Sequence, residues 1–466
     1  MKELKVKDIL KICNGKLVCG TEEIICDNFV KDNREVKLGD VFIGIKGEKV
    51  DGNSFYIDAL QKGASVCLLQ KVVVSEEVKK KYSNRAIILV ENTIEAIGKL
   101  AAYKRSLYTI PVIAVTGSVG KTSTKDIIAS VVSQKYKVLK TQENFNNHIG
   151  LPLTLLKLKD HKAVVVEMGM NHLGEIAYLS KIAKPTIGVI TNIGTSHIGN
   201  LGSRENILKA KLEIIEGLEE NATLIINNDN DLLHKWNEEQ DRDWVITCGI
   251  EQSSTWMPYA IKIGQTESQY QIKEKQKVYD ITVPISGNHF IYNSCLAFAV
   301  GRQLDISAEK IQKGIKQFEL TKKRMDTFET KEHVIVINDS YNASYDSTKA
   351  ALEYLKEITG KRKIAVLGDM LELGEYTNAL HEAIGEEVVK NKINLLVTIG
   401  AFSQNIANKA KELGMKEEKV ISLHNNQEAI SFLQNILQQG DVVLLKASNA
   451  MNLTQIAEKI GGCQDD

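Results

Sequence analysis

The chain runs to 466 residues with 59 basic and 59 acidic side chains, too long for one core and without the charge excess that nucleic acid or an anionic membrane would call for. Hydrophobic residues form 43% of it, enough for about three packed domains, yet no window approaches the roughly 18 uncharged apolar residues of a membrane span. The opening MKELKVKDILKIC lacks the apolar centre of a signal peptide, and seven cysteines (13, 19, 26, 67, 248, 295, 463) without CxxC spacing predict reduced thiols of a cytoplasmic protein and no zinc site.

The first unit spans 1–107. Apolar runs predict strands at 41–45 and 65–69, and helical spacing predicts helices at 54–62 and 94–103. Between them, 32–55 is rich in Gly and Asp and carries Arg34, Lys46 and Lys49. It suits an anionic ligand, or simply a strand flanked by solvated turns.

The second unit, 108–318, opens on a strand at 110–115. The strand breaks at Thr116-Gly117-Ser118-Val119-Gly120-Lys121-Thr122-Ser123, and helical spacing resumes over 125–132. Strand, glycine loop and Lys-Thr at a helix start make a cradle for nucleotide phosphates. Glycines let backbone N–H groups turn in around an anion, Lys121 reaches the outer phosphates, and the Thr122 hydroxyl ligates magnesium. The loop is shorter than the general G-x-x-x-x-G-K-[ST] pattern, because Val115 stands where its first glycine would be.

Strands at 163–166, 186–191 and 223–227 suit a mostly parallel sheet whose C-terminal ends gather a ligand site. The polar stretch 256–283 predicts a small antiparallel excursion. The third unit, 319–466, repeats the pattern with strands at 334–338, 363–367, 395–399 and 442–445. The expectation is a three-domain α/β chain: a smaller N-terminal α/β domain, a central phosphate-loop sheet with helices on both faces, and a doubly wound, Rossmann-like C-terminal domain.

Each strand end of the middle unit delivers a polar residue. Glu167 in EMGMNHLGEI is placed to hold magnesium, though a lone Glu after a strand is as often a turn residue. His197 in NIGTSHIG alone reads more readily as a satisfied core residue, and Lys211 in ENILKAKLEII as a solvated charge on a helix whose Ile207, Leu208, Leu212 and Ile215 face the core. QENFNNHIGLPLT places three asparagines, Asn146 and Asn147 among them, near a helix start. GNHFIYN sets His289 and Asn293 four apart, on one helix face.

These motifs, TGSVGKTSTK, NFNNHIGLPLT, EMGMNHLGEI, TNIGTSHIGNLGS, AKLEI and GNHFIYN, followed by NDSYNASYDS and LGDMLELGE, resemble in order those of the Mur ligases, ATP-dependent amide-forming enzymes of peptidoglycan synthesis. The resemblance implies that Lys121 holds the β- and γ-phosphates and that Thr122, Glu167 and His197 are magnesium ligands. It implies that Lys211 is carbamylated and binds a second magnesium. Asn293 would contact adenine, Arg324 the phosphates and Asp339 the ribose. Asp32-Asn33-Arg34 resembles a DSR motif of the UDP-sugar site, with Asn33 in place of serine, and Asn146 and Asn147 fall on the substrate side.

The last two motifs imply UDP-N-acetylmuramoyl-tripeptide and D-alanyl-D-alanine as substrates, joined by a monomer through an acyl phosphate made from ATP. Two stretches depart from the family. Ser344-Tyr345 stands where YNANP is usual, and KASNAM replaces a KGSRGM-like run, so that Asn449 occupies an arginine position on the acceptor side. Another amine acceptor, a folylpolyglutamate-type ligase and a nucleotide-binding module without ligase activity therefore remain as alternatives.

Overall fold

The computed structural model describes residues 4–239, 242–321 and 324–461. Its centre is a six-stranded parallel sheet ordered Val245–Cys248, Thr223–Asn227, Ile187–Ile190, Val112–Thr116, Ala163–Glu167, Val138–Lys140. Val112 to Val115 are fully buried, as expected of a strand covered by helices on both faces. The chain leaves Val112–Thr116 first toward one edge and later toward the other, so the crevice at the end of this strand is the topological switch point of the sheet.

The predicted excursion is a three-stranded antiparallel sheet, Pro258–Ile263, Ser268–Glu274 and Lys277–Val283. The N-terminal sheet has five strands, ordered Lys16–Cys19, Ala86–Leu89, Val66–Leu69, Val41–Ile43, Phe29–Val30. The C-terminal sheet has six, ordered Asp326–Glu329, Ile335–Asn338, Asp441–Lys446, Arg362–Gly368, Leu395–Ile399, Val420–Leu423, with only the first strand antiparallel to its neighbour. One face of each outer sheet joins an apolar continuum with the central domain, while the other face has its own cluster, around Phe42 and Cys67 or around Val336 and Leu445.

Several predicted bounds shift. The helix after the phosphate loop is Lys121–Ser133, starting four residues before 125 because the loop itself supplies its first turn. The helix expected at 54–62 begins as a tight 3-10 turn, Gly52–Phe55, before Tyr56–Gln61. Cys13, Cys19, Cys26, Cys67, Cys248 and Cys295 are buried and unpaired, and Cys463 lies outside the described residues. No helix among the described residues is long and apolar enough to cross a membrane.

Candidate active site

The phosphate loop is shaped by two glycines. Gly117 has φ 143° and a Cβ there would sit 2.0 Å from Thr191 Oγ1, while Gly120, at φ 79°, starts the helix in a left-handed conformation. The neighbouring strand end braces the loop. Asn192 Oδ1 accepts from Val119 N at 2.9 Å, Thr191 Oγ1 donates to Val119 O at 2.6 Å, and Gly194 N donates to Ser118 Oγ at 2.9 Å. Thr116 Oγ1 donates to Met168 O at 2.8 Å. Lys121 curls back, its Nζ donating to Gly117 O at 2.8 Å and Ser118 O at 3.0 Å, and burial brings its ammonium down to about 8, with Glu167 opposing and Arg324 reinforcing the shift. Ser123 follows in the first helical turn.

Beside the loop, Thr122 Oγ1 donates to Glu167 Oε2 at 2.9 Å, and Asn146 Nδ2 donates to Glu167 Oε1 at 2.7 Å. Glu167 is 1% exposed, which overturns its reading as a turn residue. Arg324 reaches in from the linker to the third domain, donating to Thr122 Oγ1 at 3.3 Å and stacking with Cζ 3.8 Å from the centre of the Tyr341 ring. These residues, with Lys121 and His197, line a cavity of about 180 Å³.

Two groups here are electrostatically unusual. Lys211, on the helix Arg204–Leu212, is 1% exposed, and its Nζ has no hydrogen-bond partner. The solvated reading fails because the lysine points inward with Ile207 and Ala210, leaving Leu208, Leu212 and Ile215 only partly buried. Burial, with Lys121 adding to it, holds this amine well below its ordinary range. His197 is brought down to about 3 by burial and then by Lys121 and Lys211, so its imidazole is neutral. Among the described residues no three His, Cys, Asp or Glu side chains form a metal cluster. A cation here would draw on Thr122, Glu167 and His197, leaving Lys211 as an orphaned amine beside them.

On the other side of the loop an adjoining cavity of about 150 Å³ is lined by Gly120, Asn293, Asp339 and Lys446 among others. Asn293 is buried and its Nδ2 is unpartnered; a Cβ on Gly120 would lie 3.1 Å from its Oδ1. His289 lines the same cavity, on the same helix face as Asn293. Asp339 is gripped by Lys446 and also accepts from Met325 N at 3.2 Å, and Lys446 donates onward to Asn342 O at 3.0 Å.

The remaining candidates lie apart from both cavities. Arg34 folds onto Asp32 with Nη2 to Oδ2 at 2.6 Å, pulling that carboxyl down to about 2, and Asn33 Nδ2 donates to Asp58 Oδ2 at 2.7 Å. Asn147 caps the helix Gly150–Leu156 through Ile149 N at 3.1 Å and Gly150 N at 2.9 Å. Lys31, next to Asp32, stands 5.3 Å from the Phe145 ring centre, so the first domain's turn abuts the asparagine segment.

The sequence reading missed the residues that join the central and C-terminal domains. Asp346 Oδ2 accepts from Thr195 N at 2.7 Å and Thr195 Oγ1 at 2.8 Å. Glu372 Oε2 is 2.8 Å from His197 Nδ1, Glu372 O accepts from Gly199 N at 3.2 Å, and Tyr376 OH donates to Gly202 O at 2.7 Å. Gly199 packs on Gly374 so closely that a Cβ would lie 2.5 Å from Gly374 N. Asp346 and Glu372 both sit within the two C-terminal motifs, and Asn192 follows a strand end, so position carried a signal that residue type did not. At the departures, Ser344 caps the helix Tyr345–Glu357, its Oγ accepting from Ser347 N at 3.4 Å, and Asn449 is exposed.

With this geometry in hand, the chain was set beside known proteins. Residues 30–105 match the Mur ligase family catalytic domain, 115–301 the Mur ligase middle domain and 323–449 the Mur ligase glutamate ligase domain. The UDP-N-acetylmuramoyl-tripeptide–D-alanyl-D-alanine ligase of Bacillus subtilis is 36% identical over 459 residues, covering 98% of each chain. A crystal structure of MurF from Acinetobacter baumannii superposes with a TM-score of 0.88 at 28% identity over 99% of both chains. MurF ligase from Thermotoga maritima in complex with ADP superposes at 0.80, with 28% identity, covering 93% of this chain and 97% of that one.

Proposed function

The chain belongs to the Mur ligase family, and from that premise we propose that it joins D-alanyl-D-alanine to UDP-N-acetylmuramoyl-tripeptide, converting ATP to ADP and phosphate in peptidoglycan precursor synthesis. The observation that carries the reading is the convergence of Lys121, Thr122, Glu167, His197 and Arg324 on one cavity beside a nucleoside-sized one.

A carboxylate is a poor electrophile. The γ-phosphoryl group passes to the tripeptide's terminal carboxylate, the acyl phosphate is attacked by the dipeptide amine, and phosphate leaves. Lys121, released from Gly117 O and Ser118 O, turns onto the outer phosphates, and Arg324 adds a second positive charge. Asn293 offers its free amide to adenine, and Asp339 its carboxylate to the ribose. Magnesium, held by Thr122, Glu167 and His197, would supply charge neutralisation for phosphoryl transfer. The orphaned Lys211 fits carbamylation, because only an unprotonated amine adds carbon dioxide and burial keeps this one unprotonated; the product would be an anion for a second magnesium.

The domain roles follow: 1–107 for the UDP-sugar, with Asp32, Asn33 and Arg34 toward it; 108–318 for ATP; 319–466 for the acceptor. Asn146 and Asn147 lie where the first two units meet. The enzyme acts as a cytoplasmic monomer. ADP release by the purified protein with UDP-N-acetylmuramoyl-tripeptides is the test, comparing D-alanyl-D-alanine, D-alanine and L-glutamate. Stimulation by the dipeptide alone supports the reading; stimulation by L-glutamate alone moves the chain to a folylpolyglutamate-type activity, and none by any amine overturns it.

A further inference from the structure

The LGDMLELGE segment has no role in the chemistry above, yet its Glu372 reaches across the domain boundary to the His197 ring, Oε2 to Nδ1 at 2.8 Å. Both residues hold left-handed backbones, each with φ 64°, a conformation that costs a non-glycine residue about 1 kcal/mol or more and persists where surroundings impose it. The surroundings here are specific. Gly199 N donates to Glu372 O at 3.2 Å, and Leu371 N donates to Ser448 Oγ at 2.8 Å, in the KASNAM turn. Ser448 N in turn donates to Asp369 O at 3.0 Å. The glutamate is therefore presented by a loop fixed at both the third domain's own strand end and the central domain.

A carboxylate only accepts, so the His197 ring must carry its proton on Nδ1. A neutral imidazole has one N–H, which leaves Nε2 bare as the lone-pair donor of a residue that lines the phosphate cavity. We propose that Glu372 is a positioning residue: from the C-terminal domain it fixes the His197 tautomer and ring orientation, so that the central domain's cation site is complete only when the two domains are docked. Carboxylate partners of this kind orient histidine ligands at metal centres generally. Here the partner sits on a different domain, which makes cation affinity depend on domain closure. The inference rests on His197 serving the cation in the ligase reading.

The test uses the full chain with Glu372→Gly, Glu372→Gln and His197→Ala. Glycine suits the left-handed backbone, so Glu372→Gly removes the carboxylate and is expected to unfold no earlier than the parent. Nitrogen-15 spectra of histidine-labelled, metal-free protein should show an Nδ1–H signal that His197→Ala deletes. Glu372→Gly should lose it in favour of the Nε2–H form, while Glu372→Gln, which keeps an oxygen acceptor, should retain it in part. Manganese titrated with ADP should bind about 10-fold to 100-fold more weakly to Glu372→Gly. An unchanged tautomer and unchanged manganese affinity in Glu372→Gly overturn the positioning role. Should His197→Ala itself bind manganese like the parent, the assignment of His197 to the cation is what fails.

Discussion

The Asp126 carboxylate accepts two hydrogen bonds from Thr321, 3.1 Å from its backbone nitrogen and 2.7 Å from its hydroxyl. Asp126 lies on the helix after the phosphate loop, and Thr321 lies in the linker three residues before Arg324. The other carboxylate oxygen is 3.0 Å from both Lys125 and Lys140. Lys125 donates to Thr141 O at 3.1 Å, and Thr141 Oγ1 accepts from Glu167 N at 3.1 Å. A buried polar chain thus runs from the linker to the carboxylate that holds Thr122. Thr321→Val should cost about 1 to 2 kcal/mol and lower kcat more than it raises KM for ATP, because it loosens the path of Arg324. Asp126→Ala strands Lys125, which is 1% exposed, and should cost about 3 kcal/mol or more in urea unfolding. Equal stability of parent and Asp126→Ala would refute the pairing.

Lys121→Ala should fold normally by circular dichroism and lose about 100-fold to 1000-fold in ATP turnover, since its ammonium contacts only loop carbonyls and, by the proposed mechanism, the transferring phosphates. Near-parental turnover would remove it from the phosphate site.

The same lysine predicts a pH dependence. Its folded value of about 8 is set first by burial. A bound triphosphate favours the ammonium and raises that value, so binding takes up a proton when Lys121 is partly neutral. Nucleotide affinity should be flat on the acid side of about pH 8 and fall as pH rises through it, by up to about tenfold per pH unit. Calorimetry in two buffers of different ionisation enthalpy reads the proton directly; no uptake on the alkaline side would rule the account out.

Lys211→Ala should lose about 100-fold or more in activity and recover part of it with acetate, whose carboxylate can stand where the carbamate would. With carbon-13 bicarbonate, a carbamate resonance should appear in the parent and be missing from the variant. Full activity in Lys211→Ala would show that the second cation site is not built on this lysine.

Asp339→Asn should raise the ATP concentration needed for half-maximal rate and also destabilise the third domain. Lys446 is 2% exposed and would be left as an unpaired buried cation, worth about 3 kcal/mol. A calorimetric melt separates the two effects: an unchanged ATP requirement together with a lower melting temperature would make Asp339 purely structural.

Much of this was legible in the chain because parallel strands covered on both faces leave continuous apolar runs. Thr223–Asn227 and Leu395–Ile399 fall where the runs do. Strands such as Val138–Lys140, Val245–Cys248 and Val420–Leu423 escaped notice. They are short sheet edges, half-exposed in part, and carry little periodicity. The phosphate loop announced itself through glycine and Lys-Thr. Lys211 did not, because nothing local distinguishes a buried lysine from a solvated one; only its neighbours across the fold do. Glu372, Asp346 and Lys446 act through partners more than 100 residues away, beyond the reach of local pattern.

The approach of Gly199 to Gly374 sets a limit on motion. A Cβ on Gly199 would meet Gly374 N at 2.5 Å, Glu372 O at 2.6 Å and Leu373 C at 2.6 Å, all main-chain atoms that cannot step aside. Rotation of the last domain toward the middle one therefore ends in a hard stop of bare backbone against bare backbone. Such a doorstop makes the shut position the same on every cycle, whichever peptide has entered.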